Sequence, residues 1–126
     1  MLLVRTYLKE CDKKGIGLFA EDFIAKNTIV WMDNLNFDRR VPKSLVDSDP
    51  LLKEYFNKYY CLIGDEWQIC FDNARFMNHG VSPNITSLNH CMCIANRDIE
   101  KDEELTIDYS TICDTMKDEN SLKNYI

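Results

Sequence analysis

The sequence has no apolar run long enough to cross a bilayer, since a transmembrane helix needs about 20 consecutive apolar residues. Glycine and proline are scarce, with four and three among 126 residues, and neither a linker nor a low-complexity segment divides the chain. We therefore expect one domain over residues 1–126. The start, MLLVRTYLKE, carries charge at Arg5 and Lys9 and lacks the apolar stretch of a signal peptide. These features predict an intracellular protein, cytoplasmic or nuclear, that does not bind membranes.

Positive charge is in short supply. The 15 lysines and arginines are outnumbered by 21 aspartates and glutamates, which gives a formal net charge of −6. Binding to DNA or RNA needs a basic stripe, so we expect no direct nucleic-acid partner. Acidic residues are densest in DIEKDEELTID, residues 98–108, where they fill six of eleven positions. Such a segment is either a solvated turn or a surface that attracts a basic partner.

Cysteine is plentiful, but the spacing that marks a metal site is missing. None of the six cysteines forms a C-x-x-C pair. Free cysteine is among the most buried residue types, so we expect small buried thiols rather than disulfides or zinc ligands. Cys91 and Cys93 are two residues apart in a strand-like run and are expected to face one side of a sheet. The six are Cys11, Cys61, Cys70, Cys91, Cys93 and Cys113.

Short apolar and β-branched runs predict a mostly β domain. One helix is expected near 50–59, where Asp49-Pro50 has the form of an N-cap and first helical residue and apolar side chains recur at helical spacing. The polar tail, residues 111–126, predicts a short helix or a loosely ordered cap. The predicted strands are 2–8, 13–20, 27–32, 61–63, 67–71, 91–97 and 104–109.

Three segments carry the clearest functional signal. They are GIGLFA at 15–20, ARFMNHGVSPN at 74–84 and RDIEKDEELTIDY at 97–109. In this order and spacing they resemble the SET domain family, the lysine methyltransferases that use S-adenosylmethionine. The resemblance runs from about Gly15 to Tyr109, within a predicted core of about 13–110. It implies several small β-sheets and a C-terminal segment threaded beneath a preceding loop as a pseudoknot, an exception to the usual avoidance of threading.

The resemblance implies a cofactor pocket built from the first two segments. Glycine lets backbone approach a ligand closely, so the backbone at Ile16, Gly17 and Leu18 is expected to contact the methionine part of S-adenosylmethionine. Asn78 has donors and acceptors suited to the cofactor. His79 is expected near the adenine, through backbone and ring contacts, and not as a base.

The same resemblance implies that Tyr109 is the catalytic residue, with its hydroxyl directed at the lysine amine and the transferring methyl group. Either Tyr59 or Tyr60 is expected to line the channel for the substrate lysine or to contact the cofactor, and the other to lie in the core. Ile107, two residues before Tyr109, is expected to line the channel. Arg75 has two open alternatives, pairing with the cofactor or with an acidic residue near the last strand.

The chain departs from the family after Asn-His. Many members place a cysteine there that joins a C-terminal cysteine motif around zinc, whereas this chain has GVS at 80–82. Structural zinc needs four ligands, so we expect no metal. Ile112, Met116 and Tyr125 are then the apolar groups available to close the lysine channel.

The excess of acidic over basic residues suits a basic substrate, such as a histone tail or a basic ribosomal protein. Its peptide is expected to add as an extended strand along a sheet edge. The alternative is a SET-like protein-binding module that has lost catalysis. The sequence does not predict the oligomeric state.

Overall fold

Residues 1–12 and 14–123, the part of the chain that the computed structural model describes, form three small sheets joined by short helices. The predicted mostly β architecture is confirmed. No helix in this part is long and apolar enough to span a membrane. The strands are β1 (Thr6–Cys11), β2 (Gly15–Ala20), β3 (Ile29–Met32), β4 (Arg39–Pro42), β5 (Cys61–Ile63), β6 (Glu66–Ile69), β7 (Asn78–His79), β8 (Ile85–Leu88), β9 (Met92–Ala95) and β10 (Thr106–Ile107). The helices are α1 (Lys43–Asp47), α2 (Pro50–Tyr59) and α3 (Glu119–Leu122), with 3₁₀ turns at Asn73–Phe76, Tyr109–Thr111 and Asp114–Met116.

The first sheet is an antiparallel hairpin of β1 and β2. Cys11 lies opposite Gly15 at its turn, and Gly15 has a φ of +78°, a left-handed conformation that favours glycine. β1 begins later than predicted, because Leu2 bridges Trp31 of the second sheet. The start of the chain therefore ties the first sheet to the second.

The second sheet, in the order β3-β9-β8-β10-β7, contains the threaded strand. β10 is parallel to both neighbours, with Ile107 opposite His79 on one side and opposite Ile85 on the other. β7 and β8 follow each other in sequence, so the connection at 80–84 must cross β10. The predicted threading of the C-terminal segment is therefore confirmed.

Gly80 and Asn84, at the two ends of this connection, hold it against β10. The Gly80 N–H donates to the Ile107 carbonyl at 3.1 Å, and a Cβ at Gly80 would lie 2.7 Å from the Thr106 hydroxyl. The Asn84 side chain, 1% exposed, accepts from the Thr106 N–H at 2.9 Å and donates to the Glu104 carbonyl at 2.8 Å. Glycine is therefore required by close approach, and Asn84 clamps the threaded strand.

The third sheet, in the order β4-β6-β5, packs against α2. The Asp49 side chain caps α2 by accepting from the N–H groups of Leu51 and Leu52 at 2.9 and 3.2 Å. Phe56 of α2 is buried edge-to-face against Trp67 of β6, with 5.6 Å between ring centroids. The predicted helix and the predicted β5–β6 hairpin are confirmed, and α3 is the short helix that was one alternative for the tail, whereas β4, β7, β8 and α1 were not predicted.

The main core fills the space between the first two sheets. A smaller core lies under α2 and consists of Val46, Phe56, Leu62 and Trp67. The main core comprises Leu18, Ala20, Ile24, Val30, Trp31, Met77, Ile85, Cys93, Ala95, Ile99, Leu105 and Ile107.

The expectation of six buried free thiols is wrong in two respects. Cys61 and Cys113 form a disulfide, because the fold brings their Cα atoms to 4.8 Å despite a separation of 52 residues. Cys91 is exposed in the turn before β9 and does not share the face of buried Cys93. Burial raises the pKa of Cys93 to about 11 and that of Cys70 to about 12, as expected for inert thiols.

Candidate functional site

A cluster of polar groups, called here the polar cleft, forms where the turn into β2 meets β7; it comprises Cys11, Lys14, Ile16, Gly17, Asn78, His79 and Glu104. The Asn78 amide donates to the Ile16 carbonyl at 3.2 Å and to the Glu104 carboxylate at 2.9 Å. Gly17 lies against these groups, and a Cβ there would overlap the Cys11 sulfur and come within 2.8 Å of Glu104. The structure thus brings Ile16, Gly17 and Asn78 together, and Ile16 is the exposed one of these three.

Leu18 is placed differently from its neighbours. Its side chain is fully buried in the main core, and its carbonyl accepts from the Leu105 N–H at 2.8 Å. The Leu18 carbonyl therefore links β2 to the segment that leads into β10.

His79 connects β7 to Tyr109. The ring is 6% exposed, and its Nδ1 accepts from the Tyr109 N–H at 3.2 Å, with the two ring centroids 5.5 Å apart. A ring nitrogen that accepts carries no proton, so the neutral ring holds its proton on Nε2. The His79 carbonyl accepts from the Lys14 ammonium at 3.0 Å, at the cleft. The ring therefore positions Tyr109, while the backbone borders the cleft.

Glu104 is the cleft residue that sequence reasoning missed. It falls in the acidic run 98–108 and in the motif segment 97–109 without an assigned role, although its place two residues before β10 is a usable signal. Its carboxylate accepts from Asn78 and, at 3.5 Å, from the Cys11 thiol. Burial and then the Glu104 charge raise the pKa of Cys11. The cleft therefore contains a carboxylate held by two side chains.

A separate cavity of about 100 Å³ lies between the end of α2, the second sheet and the segment after Tyr109. Tyr59, Tyr60, Ile107 and Tyr109 all line it. Only one of Tyr59 and Tyr60 was expected here and the other in the core, whereas both are half-buried and line the cavity. Its wall also contains Trp31, Gln68, Cys70, Ser87, His90 and Cys93. Within the described residues, Trp31 Nε1 and His90 Nδ1 are buried without a hydrogen-bond partner. An apolar chain with a polar end would match this lining.

Tyr109 stands at the border of the cavity and the core. Its hydroxyl donates to the Met77 carbonyl at 2.9 Å, and the ring is half-buried against the main core. A phenol oxygen that donates its proton still has lone pairs with which to accept. Tyr109 can therefore orient an N–H group that enters the cavity.

Tyr60 and Arg75 lie together at the cavity wall. Burial raises the pKa of the Tyr60 phenol, and the Arg75 guanidinium beside it opposes that shift. The guanidinium also lies over the Phe76 ring, 4.9 Å from its centroid. Among the described residues Arg75 makes no ion pair with an acidic side chain, and it lines the same cavity as Ile107 and Tyr109.

The segment after Tyr109 forms one side of the cavity. Ile112 and Met116 both line it, and Ile112 also packs against the main core. The Cys61–Cys113 disulfide lies in the same wall. Tyr125, the third residue expected here, lies outside the described residues. The described part of the chain contains no group of three or more His, Cys, Asp or Glu side chains that could hold a metal ion.

Comparison with known proteins supplies the family. The model of the SET domain family matches residues 15–110. Over 47 residues the chain is 45% identical to the potential protein lysine methyltransferase SET6 of Saccharomyces cerevisiae. That match covers 35% of this chain and 13% of the yeast protein, so the chain spans only a small part of this relative.

Solved structures share the fold at low sequence identity. A candidate histone methyltransferase of Plasmodium falciparum has a TM-score of 0.61 and 20% identity, over 86% of this chain and 95% of that one. A humanized mutant of Chaetomium thermophilum Polycomb Repressive Complex 2, bound to the inhibitor GSK126, has a TM-score of 0.66 and 18% identity. That match covers 90% of this chain and 16% of the other.

Proposed function

The chain belongs to the SET domain family, and from this premise we propose that it is a protein-lysine methyltransferase that uses S-adenosylmethionine. The observation that carries the proposal is the cavity in which Tyr59, Tyr60, Ile107 and Tyr109 meet. A lysine side chain is a long apolar stem with a polar nitrogen, and this lining suits both parts. Tyr109 is the proposed catalytic residue.

The residues of the polar cleft fit the amino-acid end of the cofactor. That end carries a carboxylate and an ammonium group, and the cleft offers the Lys14 ammonium, the Glu104 carboxylate and the Asn78 amide. Backbone at Ile16 and Gly17 borders the same place. When bound, S-adenosylmethionine supplies an electrophilic methyl group on a sulfonium sulfur.

The chain's own residues align the amine of the substrate lysine and shield it from water. A free lysine has a pKa of about 10.4, so little of it is neutral near pH 7. Enclosure by Tyr59, Tyr60 and Ile107 disfavours the charged ammonium form. The Tyr109 oxygen can accept an N–H from the amine and fix the direction of its lone pair. Alignment of this kind supplies a large part of the rate in group transfer.

The substrate is proposed to be a basic protein, such as a histone tail or a ribosomal protein. The net charge of −6 favours Lys- and Arg-rich peptides. Transfer of labelled methyl groups from S-adenosylmethionine to an array of basic peptides tests both the reaction and the substrate. Cofactor binding by calorimetry without transfer to any peptide or basic protein would favour the inactive binding module instead.

Replacing Asn78 with Ala should weaken cofactor binding by about tenfold or more, since a hydrogen bond to a charged group contributes about 1.5–3 kcal/mol. The change also leaves Glu104 without its amide donor. Calorimetric titration with S-adenosylmethionine measures the effect. Asn73→Ala, an exposed asparagine in the 3₁₀ turn before β7, is the control and should bind normally. If folded Asn78→Ala binds S-adenosylmethionine as tightly as the wild type, the cofactor binds at another place.

Ile107 is proposed to permit addition of more than one methyl group. It lines the cavity, is 3% exposed and has no hydroxyl with which to hold a water against a methylated amine. Mass spectrometry of a peptide with enzyme and cofactor in excess should show di- or trimethyl products. Ile107→Tyr should shift the product toward one methyl group, whereas Ile107→Phe separates the effect of bulk from that of the hydroxyl. A wild-type reaction that stops at one methyl group would exclude this role.

A further inference from the structure

The segment 109–116, called here the closing segment, is attached to the rest of the protein at a few defined points. It turns back on itself, since the N–H groups of Ile112 and Cys113 both donate to the Tyr109 carbonyl. The Asp114 carboxylate accepts from the Gly64 N–H, in the β5–β6 turn, at 2.7 Å. The covalent attachment is the disulfide from Cys113 to Cys61 at the start of β5.

Both ends of the disulfide lie in the wall of the cavity. Cys61 directly follows Tyr60, and Cys113 comes four residues after Tyr109. The bond therefore joins the two walls that carry the channel tyrosines. Cys113 is 4% exposed, whereas Cys61 is half-buried.

We propose that the Cys61–Cys113 disulfide is a redox-controlled clasp that holds the closing segment over the channel, and that reduction by a dithiol opens it. The inference rests on the proposed function for its effect on activity, but its structural part can be tested without activity.

The chemistry is a thiol–disulfide exchange. A thiolate of the dithiol attacks the more accessible Cys61 sulfur, the Cys61–Cys113 bond breaks, and Cys113 leaves as a thiolate that takes up a proton. The second thiol of the reductant then attacks the mixed disulfide and releases Cys61. The protein gains two electrons and two protons, and the dithiol becomes a cyclic disulfide.

The other cysteines provide a means of isolating the clasp. Cys93 is buried and Cys70 is half-buried, and both have strongly raised pKa values, so they react slowly. Cys91 is an exposed free thiol in the turn before β9 and does not line the cavity. Cys91→Ser is therefore the matched control for Cys113→Ser.

The structural test compares oxidised and dithiothreitol-treated protein without any substrate. Intact-mass analysis after alkylation should show two additional alkylated cysteines upon reduction, mapped to Cys61 and Cys113. Hydrogen exchange at 109–116 should then rise, while exchange in β8 and β9 stays the same. Cys113→Ser should show the raised exchange before any reductant is added, and Cys91→Ser should behave as the wild type. Six free thiols in the oxidised protein, or unchanged exchange after verified reduction, would overturn the clasp.

The functional test measures peptide methylation and cofactor affinity in the same samples. We expect the KM for peptide to rise by about threefold to tenfold on reduction, with cofactor affinity within about twofold, as for a change confined to the substrate side. Cys113→Ser should show the higher KM in both redox states. If no preparation methylates any peptide, the proposed function fails while the exchange experiment still decides the clasp. If the enzyme is active and its KM for peptide is unchanged after verified reduction, the disulfide does not control the channel.

Discussion

Replacement of Tyr109 by Phe should lower methyl transfer by about a hundredfold or more, the usual effect of removing one well-placed polar group from a transition state. Tyr109 lines the cavity and is held at both ends: its hydroxyl donates to the Met77 carbonyl and its backbone N–H donates to the His79 ring. Phe keeps the ring and the backbone contact to His79. The lost activity would therefore report on the oxygen atom alone.

The control for Tyr109→Phe is Tyr7→Phe. The Tyr7 hydroxyl also makes a hydrogen bond, to Asp102 at 2.9 Å, but it lies on β1 and does not line the cavity. Single-turnover transfer to a peptide measures the chemical step, and calorimetry measures cofactor affinity, which should hardly change in either variant. Loss of the donor to Met77 can lower stability by about 1–3 kcal/mol, so both variants are assayed well below their unfolding midpoints. Equal rates for Tyr109→Phe and wild type would remove the oxygen from the mechanism.

Local signals in the sequence predict elements that local contacts stabilise. The Asp49 cap, Pro50 and the helical spacing of apolar residues all lie within α2, and that helix is found where it was expected. The β5–β6 hairpin is likewise closed by a nearby turn at Gly64. β4 gave no such signal because its sequence, RRVP, combines two charges with a proline. It becomes a strand only by pairing with β6.

The candidate site was predictable where a motif fixes a position and not where threading creates a contact. The turn at Gly17, Asn78 and Tyr109 were predicted from the three segments. The pairing of Cys61 with Cys113 was not, since no spacing marks two cysteines 52 residues apart. The Glu104 contact to Asn78 also depends on β10 lying beside β7. For Arg75 the motif leaves two alternatives open, and its place at Tyr60 follows from the end of α2.

Asn84→Ala should cause the largest loss of stability of any exchange considered. The buried amide joins the crossing connection to β10: it accepts from Thr106, donates to the Glu104 carbonyl and, at 3.3 Å, to the Glu103 carboxylate. Alanine leaves the Thr106 N–H and the Glu104 carbonyl buried without this partner, and each such group costs about 1–3 kcal/mol. We therefore expect the free energy of unfolding to fall by about 3 kcal/mol or more.

Asn96→Ala is the matched control, because the Asn96 amide holds the same connection from outside. It donates to the Pro83 carbonyl and to the Thr86 hydroxyl, both at 3.0 Å, and neither partner belongs to β10. Urea unfolding of both variants should give a loss of about 1 kcal/mol or less for Asn96→Ala. Hydrogen exchange under native conditions should rise at β7 and β10 in Asn84→Ala and hardly at all in the control. Because β7 carries Asn78 and β10 leads to Tyr109, loosening this pair would separate the proposed cofactor cleft from the proposed catalytic tyrosine. Equal losses in the two variants would mean that Asn84 fixes its own loop and that other contacts hold the threaded strand in place.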